Sequence, residues 1–190
     1  MAKDDTLTLR SLWTLATSPH GLYLLGYAWL FGMSLWITFF GGVIAFKTLP
    51  RQQFGNLQHK TFPVYFVLSI IVSAFLLTLW TVEHPHVVTH IARPNVADVA
   101  QAYALATVLL CQCVNYFVIG PLTSKTMFER HKLEKDEGKA YNDPGVSAKM
   151  KALNRRFGML HGVSSLANLA AVIALGFHGL WIGNAGVKRN

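Results

Sequence analysis

The sequence predicts an all-α fold: an integral membrane four-helix bundle with a charged cytoplasmic helical hairpin between its third and fourth spans. Three observations predict it. First, four stretches contain no Asp, Glu, Lys or Arg: Leu22 to Phe46, Phe62 to Val82, Val99 to Ile119 and Gly158 to Ile182. Each reaches the ~20 residues a helix needs to cross about 30 Å of hydrocarbon. One central charge costs roughly 2.5–3.5 kcal/mol on insertion, so four clean windows in one chain are not chance. Second, 52% of the 190 residues are hydrophobic and 14% are charged. Ordinary soluble domains carry about 25% charged residues, so a disordered chain is excluded and a soluble globule disfavoured. Third, the bilayer offers no water to unpaired backbone amides, and no alternating strand pattern suggests a barrel. The chain reads as one membrane domain over residues 1–190.

The elements follow in order. The N-terminal stretch mixes Asp4 and Asp5 with Lys3 and Arg10, unlike an Arg-rich, acid-poor presequence. Within it, Thr6 to Thr17 is expected to form a short interfacial helix with Leu9, Leu12, Trp13 and Leu15 toward lipid. The first span starts too far in, and runs too long, for a cleaved signal peptide. A loop of about fifteen residues (47–61), holding Pro50 and Gly55, is short enough to make spans one and two antiparallel neighbours. The second loop (83–98) carries His84, His86 and His90. Three histidines can bind a metal, but no carboxylate or cysteine cluster supports them, and the reading is a polar loop. Trp29 and Trp36 suit lipid contact, and Trp80 and Trp181 fit an aromatic belt at the outer span ends.

Pro121 is expected to kink or end the third span. Thr123 to Lys139 are good helix formers, with Lys125–Glu129, Arg130–Glu134 and Lys132–Asp136 spaced i,i+4. Gly138 and Asn142-Asp143-Pro144-Gly145 mark a turn. Ser147 then caps a helix running through Arg155 and Arg156 into span four. Four spans place both termini on one side. The two loops opposite them hold twelve basic residues, against five on the terminal side. The positive-inside rule puts the twelve, and hence the 123–156 hairpin, in the cytoplasm and the termini in the lumen or exterior. The hairpin is expected to meet anionic headgroups or a cytoplasmic protein.

Polar and small residues gather on one face of each span. They are Tyr23, Tyr27, Ser34, Thr38, Gly41 and Ala45; Tyr65, Ser69 and Ser73; Gln101, Ala104, Cys111, Gln112 and Asn115; and His161, Ser164, Ser165, Asn168 and Gly179. Lipid cannot hydrogen-bond, so these faces turn inward as glue between helices. The alternative is a solvated path for a small transporter or channel through Thr38, Gln112, Asn115, His161, Ser164, Ser165 and Asn168, with His161 the ionisable member. Cys111 and Cys113 point about 200° apart on a helix and read as buried small residues.

Several segments are more specific than periodicity. Trp36-Ile37-Thr38-Phe39 is one. Pro50, Arg51, Phe54 and Gly55, after Leu49, form a loop motif. Phe62-Pro63-x-Tyr65-Phe66 and His161-Gly162-x-Ser164-Ser165-Leu166-x-Asn168-Leu169 follow. With Asn115, Pro121, Thr123 and Met127 they resemble the transmembrane protein 205 family over about Tyr27 to Leu175. The resemblance implies a small four-span protein of eukaryotic membranes without accepted catalytic residues, whose members are associated with handling of toxic compounds and with vesicle traffic. Gly120 departs from it, since animal members tend to have an acidic residue there.

The leading expectation is a non-enzymatic membrane organising, trafficking or stress-protection factor. Its setting is the endoplasmic reticulum, another endomembrane or the plasma membrane, with a mitochondrial membrane as the alternative. A homo-oligomer is compatible with it. No cofactor is expected. A haem or metal redox protein is the third reading, through His20 and His178 as a paired set near the outer ends of spans one and four. No Ser-His-Asp set, phosphate loop or paired intramembrane carboxylates support hydrolase or kinase chemistry. The basic residues carry no interleaved aromatics of the kind that read nucleic acid.

Overall fold

The computed structural model describes residues 7–186, and every regular element among them is helical. Lys3, Asp4, Asp5, Thr6, Lys188 and Arg189 lie outside the described residues. The short helix α1 (Leu9–Thr17) begins at a reciprocal cap. Thr8 Oγ1 accepts the Ser11 amide at 3.1 Å, and Ser11 Oγ accepts the Thr8 amide at 2.7 Å, so two otherwise orphaned donors are satisfied. Leu9, Leu12, Trp13 and Leu15 are all exposed, as an interfacial helix requires.

The first span, α2 (Pro19–Thr48), is capped by Ser18 and has Pro19 at its first position, where a missing N–H costs nothing. It is α-helical over Pro19–Leu35 and Gly42–Thr48, joined by a π turn over Trp36–Gly41. A Cβ on Gly41 would sit 3.0 Å from Trp36 Nε1, so the indole folds against a glycine. The second span, α3 (Arg51–Glu83), follows after only Leu49 and Pro50. The expected fifteen-residue loop is therefore mostly helix. Pro50 forces Leu49 extended (φ −102°, ψ 145°), and nothing after it breaks the chain, so the polar residues 51–61 simply continue the helix beyond hydrocarbon. At 33 residues α3 is about 50 Å long. One turn, α4 (His86–Thr89), sits in the next connection.

The third span, α5 (Ala97–Glu137), runs through Pro121, which overturns the expected end of the helix there but not the expected kink. The proline does not end the helix. A π turn over Asn115–Ile119 precedes it, and the Gly120 amide donates to Asn115 O, five residues back. Widening the turn by one residue makes room for a ring and a residue without an N–H. Gly138, at φ 61°, closes α5 in the left-handed conformation that suits glycine. Ser147 Oγ then accepts the Met150 amide at 3.1 Å and starts α6 (Ala148–Ala185), 38 unbroken residues. The charged helix and the fourth span are one rod, as expected.

The four long helices form a closed ring of neighbours: α2 packs on α3, α3 on α5, α5 on α6, and α6 back on α2. Leu30, Leu76, Leu105, Val108, Ala171 and Leu175 fill the centre. Leu25, Trp29, Trp36, Leu110, Phe117, Leu166, Ile173 and Leu180 point outward and are exposed. Apolar surface of that extent is not sustained in water. With four helices long and apolar enough to cross a membrane, the chain is a multi-pass integral membrane protein in contact with lipid. Trp80 corrects the aromatic-belt expectation: it is 1% exposed. Its Nε1–H donates to Asp98 O at 2.9 Å and its ring stacks on His84 at 4.1 Å. A buried indole needs such an acceptor.

Candidate functional site

Polar side chains cross the bundle in three layers. The first lies near the termini and draws one residue from each long helix. Tyr23 (α2) and His178 (α6) are fully buried, with the Tyr23 hydroxyl 2.6 Å from His178 Nε2. His178 Nδ1 lies 2.9 Å from Gln101 Oε1 on α5. A carboxamide oxygen only accepts, so Nδ1 carries the proton and Nε2 accepts from Tyr23; this tautomer is assigned from its partners. Trp80 (α3) meets the His178 ring edge-on at 5.1 Å. Beside them the Tyr27 hydroxyl donates to Leu175 O at 3.0 Å. Gly179 is what lets Tyr27 in, because a Cβ there would collide with the phenol oxygen. Toward the surface, His84 is buried, its Nδ1 2.9 Å from Trp80 O, and His86 Nε2 approaches Asp98 Oδ2 at 2.5 Å.

The histidine loop is thus more than a polar connection. It folds two rings onto the end of the bundle. Among the described residues no group of three His, Cys, Asp or Glu is placed to hold a metal. His20 and His178 have different neighbours. His20 lies 3.7 Å from Glu83, and both ring nitrogens of His178 are engaged by Tyr23 and Gln101.

The second layer lies deeper, around the two π turns. Tyr65 donates to Ser34 Oγ at 3.2 Å, and Gln112 Nε2 donates to Tyr65 at 3.3 Å. Asn115 Nδ2 donates to Asn168 Oδ1 at 3.3 Å and to Ser164 O at 3.4 Å. These are long bonds, near the limit of useful geometry. Thr38 Oγ1, Gln112 Oε1 and Asn115 Oδ1 are buried without a hydrogen-bond partner. The structure therefore brings Gln112, Asn115, Ser164 and Asn168 together and buries the Thr38 hydroxyl, but it turns His161 and Ser165 outward. His161 is exposed and stacks on Phe157 at 6.0 Å. The inward seam of α6 runs through Leu160, Asn168, Ala171, Leu175, His178 and Ile182. At 100° per residue its centre lies about 60° from that of the stripe drawn through His161, Ser164, Ser165, Asn168 and Gly179. That difference in phase is why His161 and Ser165 face outward. It also explains His178, whose signal was its spacing from Leu175 and Ile182.

The third layer braces the hairpin beyond the apolar spans. Arg51, in the loop motif, ion-pairs with Glu134 of α5 and covers the Tyr141 ring at 3.8 Å. Glu134 Oε1 also accepts the Tyr141 amide at 2.7 Å. Arg130 lies between rings, 4.4 Å from the Tyr141 centroid and 4.6 Å from that of Phe157. Burial, then the nearby Arg51 guanidinium, lower its pKa. Asn154 Nδ2 donates to Tyr141 O at 2.8 Å. Gly55 is buried where a Cβ would sit 2.9 Å from Met127 Sδ, and Phe54 meets Phe46 edge-on at 5.5 Å. Pro50 supplies the turn that aims them. Hence Arg51 and Gly55 dock the start of α3 against α5, and Phe54 packs it against the end of α2. The expected i,i+4 pairs are corrected here: none of the three forms among the described residues, and Glu134 serves Arg51 instead of Arg130. Tyr141 and Phe157 had no sequence signal beyond being aromatic.

Comparison with known proteins agrees with this architecture. The model of a family described as a domain of unknown function, DUF4149, matches residues 25–132, from the first span into the outgoing part of α5. The chain is 26% identical over 161 residues to transmembrane protein 205 of Danio rerio, covering 78% of this chain and 82% of that protein. No solved structure matches the chain.

Proposed function

The chain belongs to the DUF4149 family, and from that premise we propose that it is a non-enzymatic membrane organising, trafficking or stress-protection factor whose working surface is the α5–α6 hairpin. The observation that carries this reading is the third layer. Arg51 ties the hairpin to the start of α3 through the Glu134 ion pair and the Tyr141 ring. Within the hairpin, Arg130 on the Tyr141 and Phe157 rings, the Glu134 carboxylate on the Tyr141 amide and the Asn154 amide on Tyr141 O brace its two arms. Such bracing fixes a projecting element and holds its exposed charges, Lys125, Lys132 and Lys135 among them, in one arrangement. A pre-ordered surface binds with less conformational entropy lost. The positive-inside rule supports a cytoplasmic position for this face. The test is cross-linking in intact membranes followed by immunoprecipitation. Substituting Lys125, Lys132 and Lys135 by Gln is expected to strip the cross-linked partner. An unchanged set of cross-links refutes the platform.

A second reading, a small transporter or channel, draws on the unpartnered Thr38, Gln112 and Asn115 oxygens beside two π turns. Buried orphan acceptors and π turns both concentrate at functional sites. Water-accessibility labelling of a Thr38→Cys variant separates the two readings: labelling from the aqueous phase favours a path, and protection favours glue.

A further inference from the structure

The outer face of α6 changes character at the start of the charge-free stretch without changing direction. Before it come Lys151, Arg155 and Arg156, all exposed, lining an open groove of about 670 Å³ with Ala152 and Met159. None of the three is in an ion pair among the described residues, and Ala148–Ala185 contains no Asp or Glu to offset them. After it, on the same side at 100° per residue, come Met159 and Leu166, both more than 60% exposed. One leaflet of hydrocarbon, ~15 Å, corresponds to roughly ten helical residues, the stretch just below the groove. A single ridge thus carries uncompensated positive charge at headgroup level and bare apolar side chains at acyl-chain level.

We propose that this ridge is a binding site for a phospholipid with an anionic headgroup. Lys151, Arg155 and Arg156 hold the headgroup, and Met159 and Leu166 lie along the acyl chain. Charge complementarity selects the headgroup. Continuity with the lipid-facing surface selects a lipid over a soluble protein, which has no means of following the ridge into hydrocarbon. The inference deepens the platform reading and rests on it, by naming what the α6 half of the basic face binds.

The test is native mass spectrometry of the full-length protein in detergent, titrated with phosphatidylserine, phosphatidylcholine or inorganic phosphate. Basic side chains near an anionic surface act roughly additively, so three of them imply a preference for phosphatidylserine over phosphatidylcholine on the order of 100-fold. Substituting Lys151, Arg155 and Arg156 by Gln is expected to abolish the preference. The equally charged change at Lys125, Lys132 and Lys135 should leave it intact, and inorganic phosphate alone should not displace the bound lipid. Arg156→Gln by itself should reduce the preference about fivefold, which keeps the test open if the triple variant misfolds. Equal binding of the two lipids, equal loss in both triple variants, or displacement by free phosphate overturns the site. If the site fails while the Lys125, Lys132 and Lys135 substitutions still strip cross-linked partners, the platform stands without it.

Discussion

Three glycines on one helix give the sharpest test of the packing. Gly176, Gly179 and Gly183 all lie in the last third of α6. A Cβ on Gly176 or Gly183 meets nothing within 4 Å, whereas one on Gly179 collides with the Tyr27 hydroxyl and lies 2.8 Å from its Cζ. Gly→Ala in a helix interior is worth about 1 kcal/mol of propensity in favour of Ala, so Gly176→Ala and Gly183→Ala should be neutral or stabilising by up to that amount. Gly179→Ala has the same gain but must displace a ring. Overpacking costs typically 1–3 kcal/mol. The Tyr27–Leu175 hydrogen bond, 3.0 Å long, adds the ~0.6 kcal/mol average for such bonds in membranes. The variant should therefore be roughly 1–3 kcal/mol less stable than the parent. The measurement is reversible unfolding in mixed micelles followed by helical circular dichroism. A double-mutant cycle with Tyr27→Ala should remove most of the penalty, because the obstacle is then gone. If Gly179→Ala unfolds with the two control variants, Tyr27 is not seated where the first polar layer places it.

Three further predictions concern the other contacts. Tyr23→Phe leaves His178 Nε2 without its donor, and thermal unfolding should show a loss of about 1–2 kcal/mol, larger than for Tyr103→Phe, whose hydroxyl donates to Ile91 O in an exposed setting. Glu134→Gln removes the carboxylate that holds Arg51 and the Tyr141 amide; hydrogen exchange should rise at Tyr141 and at the start of α3, while the spans stay protected. Burial, and then Arg51, lower the pKa of His131 from its ordinary 6.5. The docked hairpin therefore binds that proton more weakly than an undocked one, and docking should weaken as pH falls below about 6.5. Exchange at residues 120–137 measured from pH 7.5 to 5 should rise on acidification, and His131→Asn should flatten the dependence.

The four spans were legible because the bilayer penalises every charge in the same way, so an uninterrupted apolar window is a statement of energy. Helix ends were less legible for the same reason. The charge-free window shows where hydrocarbon stops, but a helix stops only where its backbone is broken, at Pro50 or Gly138. Rotational phase was the weakest quantity. On α3 and α5 the stripes through Tyr65, Ser69, Gln112 and Asn115 were right because those residues are the polar minority on otherwise apolar helices. On α6, small and polar residues occur all round, and His161 and Ser165 pulled the stripe away from His178. The Trp80 rule failed because depth says nothing about face. The third layer depends on a turn that brings Tyr141 back beneath Arg130, which spacing does not encode.

These distinctions bear on what the polar layers do. Lipid gives helices no hydrophobic reason to prefer one register over another. The first layer takes Tyr23, Trp80, Gln101 and His178 from four different helices, and the second takes Ser34, Tyr65, Gln112 and Asn168. A helix that slides by one turn, about 5.4 Å, unpairs its member in both layers at once. Each bond is weak, yet the two layers enforce the same alignment, and neither can be satisfied by shifting the other. That is why the third layer can be rigid: Arg51 on α3 and Glu134 on α5 meet only when the bundle below them is in register.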